Sequence, residues 1–284
     1  MIVFPNAKIN LGLRVLRRRP DGYHDISTVM VPVGWCDILE IVPAAGAGSF
    51  HLSGSRLGGC PPEKNLVIKA IRALETKLGY TLPPLDIYLR KVIPDGAGLG
   101  GGSSDASFTL LAVNDLLNLG LSRQELAAVA ATVGADCPFF IYNCPMLAEG
   151  IGEQLTPVTL NLPEGCAVAI AKPQTEAVST REAYAGISPS PLSDGESLVS
   201  ALSCPVDQWD AGNTVRNDFQ PSVFPLRPAI EDTLRKMKDL KPLYAAMSGS
   251  GAAVFGIFPN VKLAEDALGN FSECSVFAGP IPFC

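Results

Sequence analysis

From residue 7 the chain alternates. Ala7, Ile9, Leu11, Leu13 and Val15 fall on one side of an extended segment, and Lys8, Asn10, Gly12 and Arg14 on the other, which is the period-two signature of a strand. Pro20-Asp21-Gly22 is a turn signal; residues 35–42, WCDILEIV, read as a second strand and residues 49–54 as a short third. The period then changes. Val67, Ala70, Ile71, Leu74 and Leu78 recur at helical spacing, with Gly79 as the stop. Residues 85–93, LDIYLRKVI, predict a strand running directly into a glycine-rich loop. Beyond the loop, Ala106, Leu110, Val113 and Leu117 form another helical stripe that Gly120 ends. Ser122 and Glu125 make a capping box for a further helix, closed by Gly134.

The rest of the chain predicts a strand over 166–172, a Pro/Ser/Gly loop over 186–197 and a helix over 230–240. A strand, glycine turn and strand follow over 243–258, then a helix over 261–271 and a last strand over 275–281. No repeat recurs at a fixed period. Strands and helices mix without regular βαβ alternation, so the pattern predicts α+β layers rather than a doubly wound sheet. A weakly marked boundary near 155–165 divides the chain into expected domains 1–160 and 161–284.

Composition narrows the function. With 47% hydrophobic and 18% charged residues among 284, a sizeable core is available and bulk disorder is excluded. A net charge of −6 leaves no basic footprint for a nucleic acid. The basic run Arg17–Arg19 reads as a solvated strand end beside the turn. Eight cysteines without a CxxC pair give no support for a zinc or redox site and point to free thiols. The first residues lack the basic and apolar regions of a secretory signal. The uncharged run 242–261 is broken by SGSG and two prolines, so no membrane span is expected. A cytoplasmic protein is the resulting expectation.

The loop carries the chemistry. Pro94, Asp95, Gly96, Ala97, Gly98, Leu99, Gly100, Gly101 and Gly102 lead into Ser103 and Ser104 at a helix entry. The first turn of a helix has unpaired N–H groups and a partial positive charge, and glycines let a backbone approach a phosphate closely. One or two glycines would serve a tight connection; five within seven residues favour phosphate binding. Gly101 is the position where a Cβ is expected to block that approach. No lysine follows the glycines as a Walker loop requires, and the βαβ setting of a dinucleotide fold is missing. Asp136 stands just past a helix end, and Pro138 biases Cys137 toward extended geometry, so its carboxylate should project from a fixed point. A turn aspartate fits the same pattern.

Residues 94–107, PDGAGLGGGSSDAS, resemble the second motif of the GHMP kinases, and AAMSGSGAAVFGIF (245–258) resembles the third. NAKINLGLRVLRRRPDGYHDISTVM (6–30), GADCPFF (134–140) and AEGIGEQLTPV (148–158) resemble one branch of that family. The resemblance implies a two-domain α+β fold with the active site in the cleft between domains. It also implies phosphorylation by ATP of the 2-hydroxyl of 4-diphosphocytidyl-2-C-methyl-D-erythritol, a step toward isoprenoid precursors. Two other readings stand beside it. A homoserine or mevalonate-type kinase is disfavoured by DGYH and GADCPFF, and a catalytically silent nucleotide sensor by the presence of both Lys8 and Asp136.

By the resemblance, residues 94–104 hold the ATP phosphates and Asp136 takes the proton of the attacking hydroxyl. Lys8 stabilises the moving phosphoryl group, with Asn10 on the same strand face. Tyr23 stacks on cytosine and His24 bonds its polar edge, with Tyr184 as the second stacking aromatic. Asn65 lies near the adenine, and a helix N-cap explains it equally well. Gly249, Ser250 and Gly251 form a turn packed on the phosphate loop. Mg²⁺ is expected with ATP, carried on the phosphates with Ser104 as a candidate ligand. The expected partners are therefore small molecules, a cytidine diphosphate substrate and ATP, with no nucleic acid and no membrane, in a monomer or weak homodimer. Cys137 and Ser107 depart from the commoner residues of their motifs, and neither removes a role.

Overall fold

The computed structural model describes residues 1–54, 61–190, 197–209 and 214–281. Its strands are β1 (Ile2–Val3), β2 (Asn6–Arg18), β3 (His24–Cys36), β4 (Ile38–Pro43), β5 (Ser49–Ser53), β6 (Leu85–Arg90), β7 (Met146–Gly150), β8 (Gln154–Pro157), β9 (Ala167–Pro173), β10 (Tyr244–Met247), β11 (Val254–Phe258) and β12 (Cys274–Pro280). The helices are α1 (Leu66–Leu78), α2 (Gly101–Leu116), α3 (Arg123–Val133), α4 (Cys137–Tyr142), α5 (Thr180–Ala185), α6 (Leu198–Leu202), α7 (Gln220–Val223), α8 (Pro228–Asp239) and α9 (Val261–Leu268). The middle of the expected 186–197 loop lies outside the described residues.

Packing gathers the chain into two compact units that interleave along it. One comprises Met1–Ala7, Trp35–Asp95 and Gly100–Asn143; the other comprises Lys8–Gly34, Gly96–Leu99 and Cys144–Cys284. The expected cut at residue 160 follows sequence order, whereas this grouping follows which residues pack together.

In the first unit the sheet runs β1-β4-β6-β5, antiparallel except for β5 beside β6. Leu39, Ile41, Leu85, Ile87 and Leu89 meet Val67, Ala70 and Leu74 of α1 and Leu110 and Val113 of α2 in one buried cluster. Asn65 and Ser122 cap α1 and α3 as the sequence predicts, the latter with a complete capping box. The strand expected over 35–42 is broken at Asp37, between β3 and β4. Its buried carboxylate accepts the Val92 and Ile93 N–H groups at 2.5 and 2.8 Å, which pins the chain just after β6. The expected extended geometry at Cys137 is also not found. Cys137 opens α4, with Asp136 at its N-cap position and Pro138 in the first turn. A proline there lacks only an N–H that has no intrahelical partner anyway, so it starts a helix rather than ending one.

The second unit holds sheets β2-β3-β7-β8 and β10-β11-β9-β12. Strand β3, thirteen residues long, is absent from the sequence reading, as is the β7–β8 hairpin. Residues 27–33 are buried on both faces, so β3 shows no alternation to detect. Strand β2 is likewise buried along its polar face, where Lys8, Asn10 and Arg14 are each 2–3% exposed. Its outer edge is not left open. Lys8 N–H donates to Leu99 O, Leu13 N–H to Arg216 O and Asp218 N–H to Leu13 O, at 2.9, 2.7 and 2.8 Å. Ala169, Ala171, Val254, Ile230, Leu234 and Ala264 build the core of this unit, where the strand pair β9–β11 meets α8 and α9.

Candidate active site

In the second unit, residues 96–99 lie against the Ser248–Ala253 turn. Ala252 N–H donates to Gly96 O at 3.1 Å and Ala253 N–H to Ala97 O at 3.0 Å. The Gly98 carbonyl accepts from Lys8 Nζ and from Ser248 Oγ, both at 3.0 Å. Gly98 has φ +72°, and a Cβ there would sit 2.1 Å from Ser248 O. Gly101 differs, since its φ is not left-handed and its Cβ would meet side-chain atoms of Ile93 and Lys91 at 3.1–3.3 Å. The glycine that the backbone packing demands is Gly98.

Lys8 is not a solvated strand lysine. Its ammonium donates to Asn10 Oδ1 at 2.6 Å, Asn10 Nδ2 donates to Thr28 Oγ1 at 3.0 Å, and Thr28 Oγ1 donates to Gly12 O at 2.5 Å. This relay across β2 and β3 fixes the lysine head at the loop. Asn217 is a second support that the sequence did not reveal. Its Nδ2 donates to Met247 O and Gly249 O at 2.7 and 2.8 Å, and its Oδ1 accepts from Phe219 N–H at 2.9 Å. It therefore holds the strand end before Gly249, Ser250 and Gly251. No periodicity marks it, because it is placed by the segment that covers the β2 edge.

The ring of His24 stacks on Tyr184, with centroids 4.6 Å apart and planes 16° from parallel, and Tyr184 meets Phe219 edge-on. Tyr23 is 60% exposed. Burial, then the positive charge of Arg18, holds the His24 imidazole below its ordinary range. So the structure brings His24 and Tyr184 together in the second unit and leaves Tyr23 presenting its ring to solvent.

In the first unit the loop ends on α2. Gly100, left-handed at φ +72°, is its N-cap, so Gly101, Gly102 and Ser103 present first-turn N–H groups. Ser104 Oγ is fully buried and has no hydrogen-bond partner among the described residues. Asn65 Oδ1 is used as the α1 cap, accepting from Val67 N–H at 2.9 Å, which leaves its amide nitrogen outside that bond. Asp136 is half-buried at the start of α4. The Ser107 hydroxyl lies 2.7 Å from Cys137 O and 3.0 Å from Ser103 O, tying α2 to the backbone beside Asp136. The two motif departures thus touch each other. Cys137 is buried, which pushes its thiol up to about 11 and keeps it unreactive.

Behind the loop lies a cluster unseen in the sequence. Lys91 Nζ pairs with Asp37 and, at 2.7 Å, with Asp105 Oδ2. Desolvation raises the Asp105 carboxyl to about 7 against the attraction of Lys91, and the nearby Asp37 adds to the rise. Among the described residues no group of three or more His, Cys, Asp or Glu side chains is arranged to hold a metal ion, and no helix is long and apolar enough to cross a membrane.

A glycine-rich loop that ends on the N-terminus of α2 offers a phosphate its first-turn N–H groups, an arrangement suited to a nucleotide-dependent kinase of small molecules. Residues 65–144 match the GHMP kinases N terminal domain and residues 208–274 the GHMP kinases C terminal domain. The chain is 48% identical over 282 residues to a 4-diphosphocytidyl-2-C-methyl-D-erythritol kinase of Parabacteroides distasonis, covering 99% of this chain and all of the relative. It is 46% identical to the enzyme of the same name from Bacteroides fragilis, over 93% of this chain and 95% of the relative. A solved 4-(cytidine 5'-diphospho)-2C-methyl-D-erythritol kinase superposes with a TM-score of 0.79 at 33% identity, covering 99% and 98% of the two chains. A homoserine kinase of Cytophaga hutchinsonii, 18% identical over 98% of this chain and 94% of its own, shares the fold at a TM-score of 0.72. The chain belongs to the 4-diphosphocytidyl-2-C-methyl-D-erythritol kinases, a branch of the GHMP kinases.

Proposed function

We propose that this protein transfers the terminal phosphoryl group of ATP to the 2-hydroxyl of 4-diphosphocytidyl-2-C-methyl-D-erythritol, a step of the non-mevalonate route to isoprenoid precursors. The observation that carries this reading is the 48% identity, over essentially the whole chain, to a kinase named for that substrate.

Phosphoryl transfer asks a protein mainly for positioning and charge stabilisation. Residues 94–104 cradle the phosphates with backbone N–H groups and the first turn of α2. Lys8, held by Asn10 and the Gly98 carbonyl, supplies a fixed positive charge to the transferring group. Asp136 accepts the proton of the acceptor hydroxyl, its backbone held from Ser107 through Cys137 O. Tyr23 stacks on the cytosine and His24 reads its polar edge, with Tyr184 beneath the histidine ring. Asn65 bounds the adenine side and Gly249–Gly251 brace the loop. Mg²⁺, carried on the ATP phosphates, would neutralise their charge, and the Ser104 hydroxyl, which has no hydrogen-bond partner among the described residues, fits it as a single protein ligand. The enzyme works in the cytoplasm as a monomer or weak homodimer.

The test is ADP release on adding 4-diphosphocytidyl-2-C-methyl-D-erythritol with MgATP, against CMP, homoserine and mevalonate. Turnover with the cytidine substrate alone is the expected result. Turnover with homoserine or mevalonate instead, or none with any acceptor, overturns the assignment.

A further inference from the structure

We infer that Asp37, Lys91 and Asp105 form a buried ionic tie that closes the two ends of the phosphate loop and so sets its ATP affinity, with Asp105 as a positioning residue. The inference rests on the reading of residues 94–104 as the ATP loop.

The geometry runs in one direction. Strand β6 ends its ladder at Arg90, paired with Ile38. Lys91 N–H still finds Ser53 O, at 2.8 Å, but Val92 and Ile93 lie past the ladder. The Asp37 carboxylate takes both of their N–H groups through Oδ1 and the Lys91 ammonium through Oδ2. The chain entering Pro94 is thereby fixed. On the far side, Asp105 sits in the second turn of α2, and its Oδ2 takes the same ammonium. One cation therefore joins the residues that enter the loop to the helix that receives it.

Burial makes the tie stiff. The side chains of Lys91, Asp37 and Asp105 are 7%, 0% and 4% exposed, so water screens little of the attraction. The ammonium also lies close under the first residue of α2, since a Cβ on Gly101 would stand 3.2 Å from Lys91 Nζ. It is committed to two carboxylates, so the cluster acts on the nucleotide through backbone placement.

One ammonium faces two carboxylates, and Asp105 Oδ1 is buried with no hydrogen-bond partner among the described residues. The tie thus needs an oxygen at Asp105 but not a second full negative charge. That predicts a split between two substitutions. Asp105→Ala cuts the tie while leaving the Lys91–Asp37 pair intact. Asp105→Asn keeps an oxygen toward Lys91.

The experiment titrates each chain with a non-hydrolysable ATP analogue and Mg²⁺ by calorimetry, alongside KM for both substrates and the melting temperature. Misplacing a binding loop by about an ångström costs on the order of ten- to a hundredfold. Asp105→Ala is expected to weaken analogue binding and raise KM for ATP about tenfold, with KM for the cytidine substrate within about twofold, and Asp105→Asn to bind like wild type. Asp105→Ser, too short to reach Lys91, is read in the same way should the alanine chain not fold. The inference is overturned if alanine lowers the melting temperature but leaves nucleotide affinity unchanged, if both KM values rise together, or if asparagine fails as badly as alanine. The analogue titration needs no acceptor, so an error in the cytidine assignment leaves it intact. Wild-type chain that binds no analogue would instead refute the ATP loop itself.

Discussion

Gly98→Ala is the sharpest test of how the loop is built. The added methyl would lie 2.1 Å from Ser248 O and 3.0 Å from both Gly251 N and Gly251 O, in a residue held at φ +72°. Holding alanine in that left-handed region costs about 1–2 kcal/mol. Relieving the clash means parting the loop from the turn by roughly an ångström, since ordinary carbon–oxygen contacts begin near 3.3 Å. That movement breaks the Ser248 Oγ–Gly98 O bond and stretches the paired bonds at Ala252 and Ala253. The broken bond and the weakened pair, together equivalent to about two bonds at about 0.5–1.5 kcal/mol each, bring the total to about 2–5 kcal/mol. For a chain of this size each kcal/mol moves the melting temperature by ~2–4 °C, so a fall of roughly 4–20 °C is expected, with a large rise in KM for ATP. Gly101→Ala is the control. Its methyl meets the Ile93 methyl and the tied Lys91 ammonium at 3.1 and 3.2 Å, a few tenths of an ångström too close but with no left-handed φ to hold, so a smaller loss of about 1–2 kcal/mol is expected. Calorimetric melting and steady-state kinetics on the two variants decide it. A Gly98→Ala chain as stable and as ATP-competent as wild type, or one milder than Gly101→Ala, would refute the reasoning.

Tyr23→Ala should raise KM for the cytidine substrate about ten- to a hundredfold and leave KM for ATP near wild type, since one stacked base is worth ~1–3 kcal/mol; equal effects on both substrates would remove Tyr23 from the base site. Asp136→Asn should cut kcat by about 10²–10⁴ with nucleotide affinity retained, and single-turnover rates near wild type would make Asp136 a turn residue. Asn217→Ala leaves Met247 O, Gly249 O and Phe219 N–H without their buried partner, so a stability loss of about 2–4 kcal/mol is expected in denaturant titrations, together with weaker ATP binding; an unchanged midpoint would mean the turn holds itself.

What the sequence revealed and what it hid have physical causes. Helices α1, α2 and α3 were legible because each carries an apolar stripe or a cap whose meaning is local. Strand β2 was legible from its alternation, but the sequence could not say that its polar face is buried; that depends on the residues covering its edge, 200 positions later at Asn217 and Asp218. Strand β3 was hidden because burial on both faces erases the period. The glycines stood out by their density and Asp136 by its place at a helix end, whereas Lys8 took a role only through the motif it resembles. Asp37, Lys91, Asp105 and Asn217 did not stand out at all, since each draws its meaning from partners distant in the chain. The proline at 138 misled because one residue can both end a helix and begin one, and here it stands in the first turn of α4, whose Phe139 and Phe140 are buried.

The interleaving of the two units sets an order of assembly. Strands β2 and β3 leave the ribosome among the first residues made, yet the next partner in their sheet, β7, begins only at Met146. The stretch that covers the β2 edge arrives later still, at Arg216–Asp218. During synthesis the first unit has its described sheet and the helices α1 to α4 once Asn143 has emerged, while the long apolar hairpin of the second must wait. Long-range pairing of this kind is slow, and an unpaired strand edge is prone to aggregate while it waits. The same early strand that carries Lys8 is therefore the segment most in need of shelter in the nascent chain, and yield on expression should respond more steeply to slowed elongation between residues 40 and 145 than to slowing after residue 230.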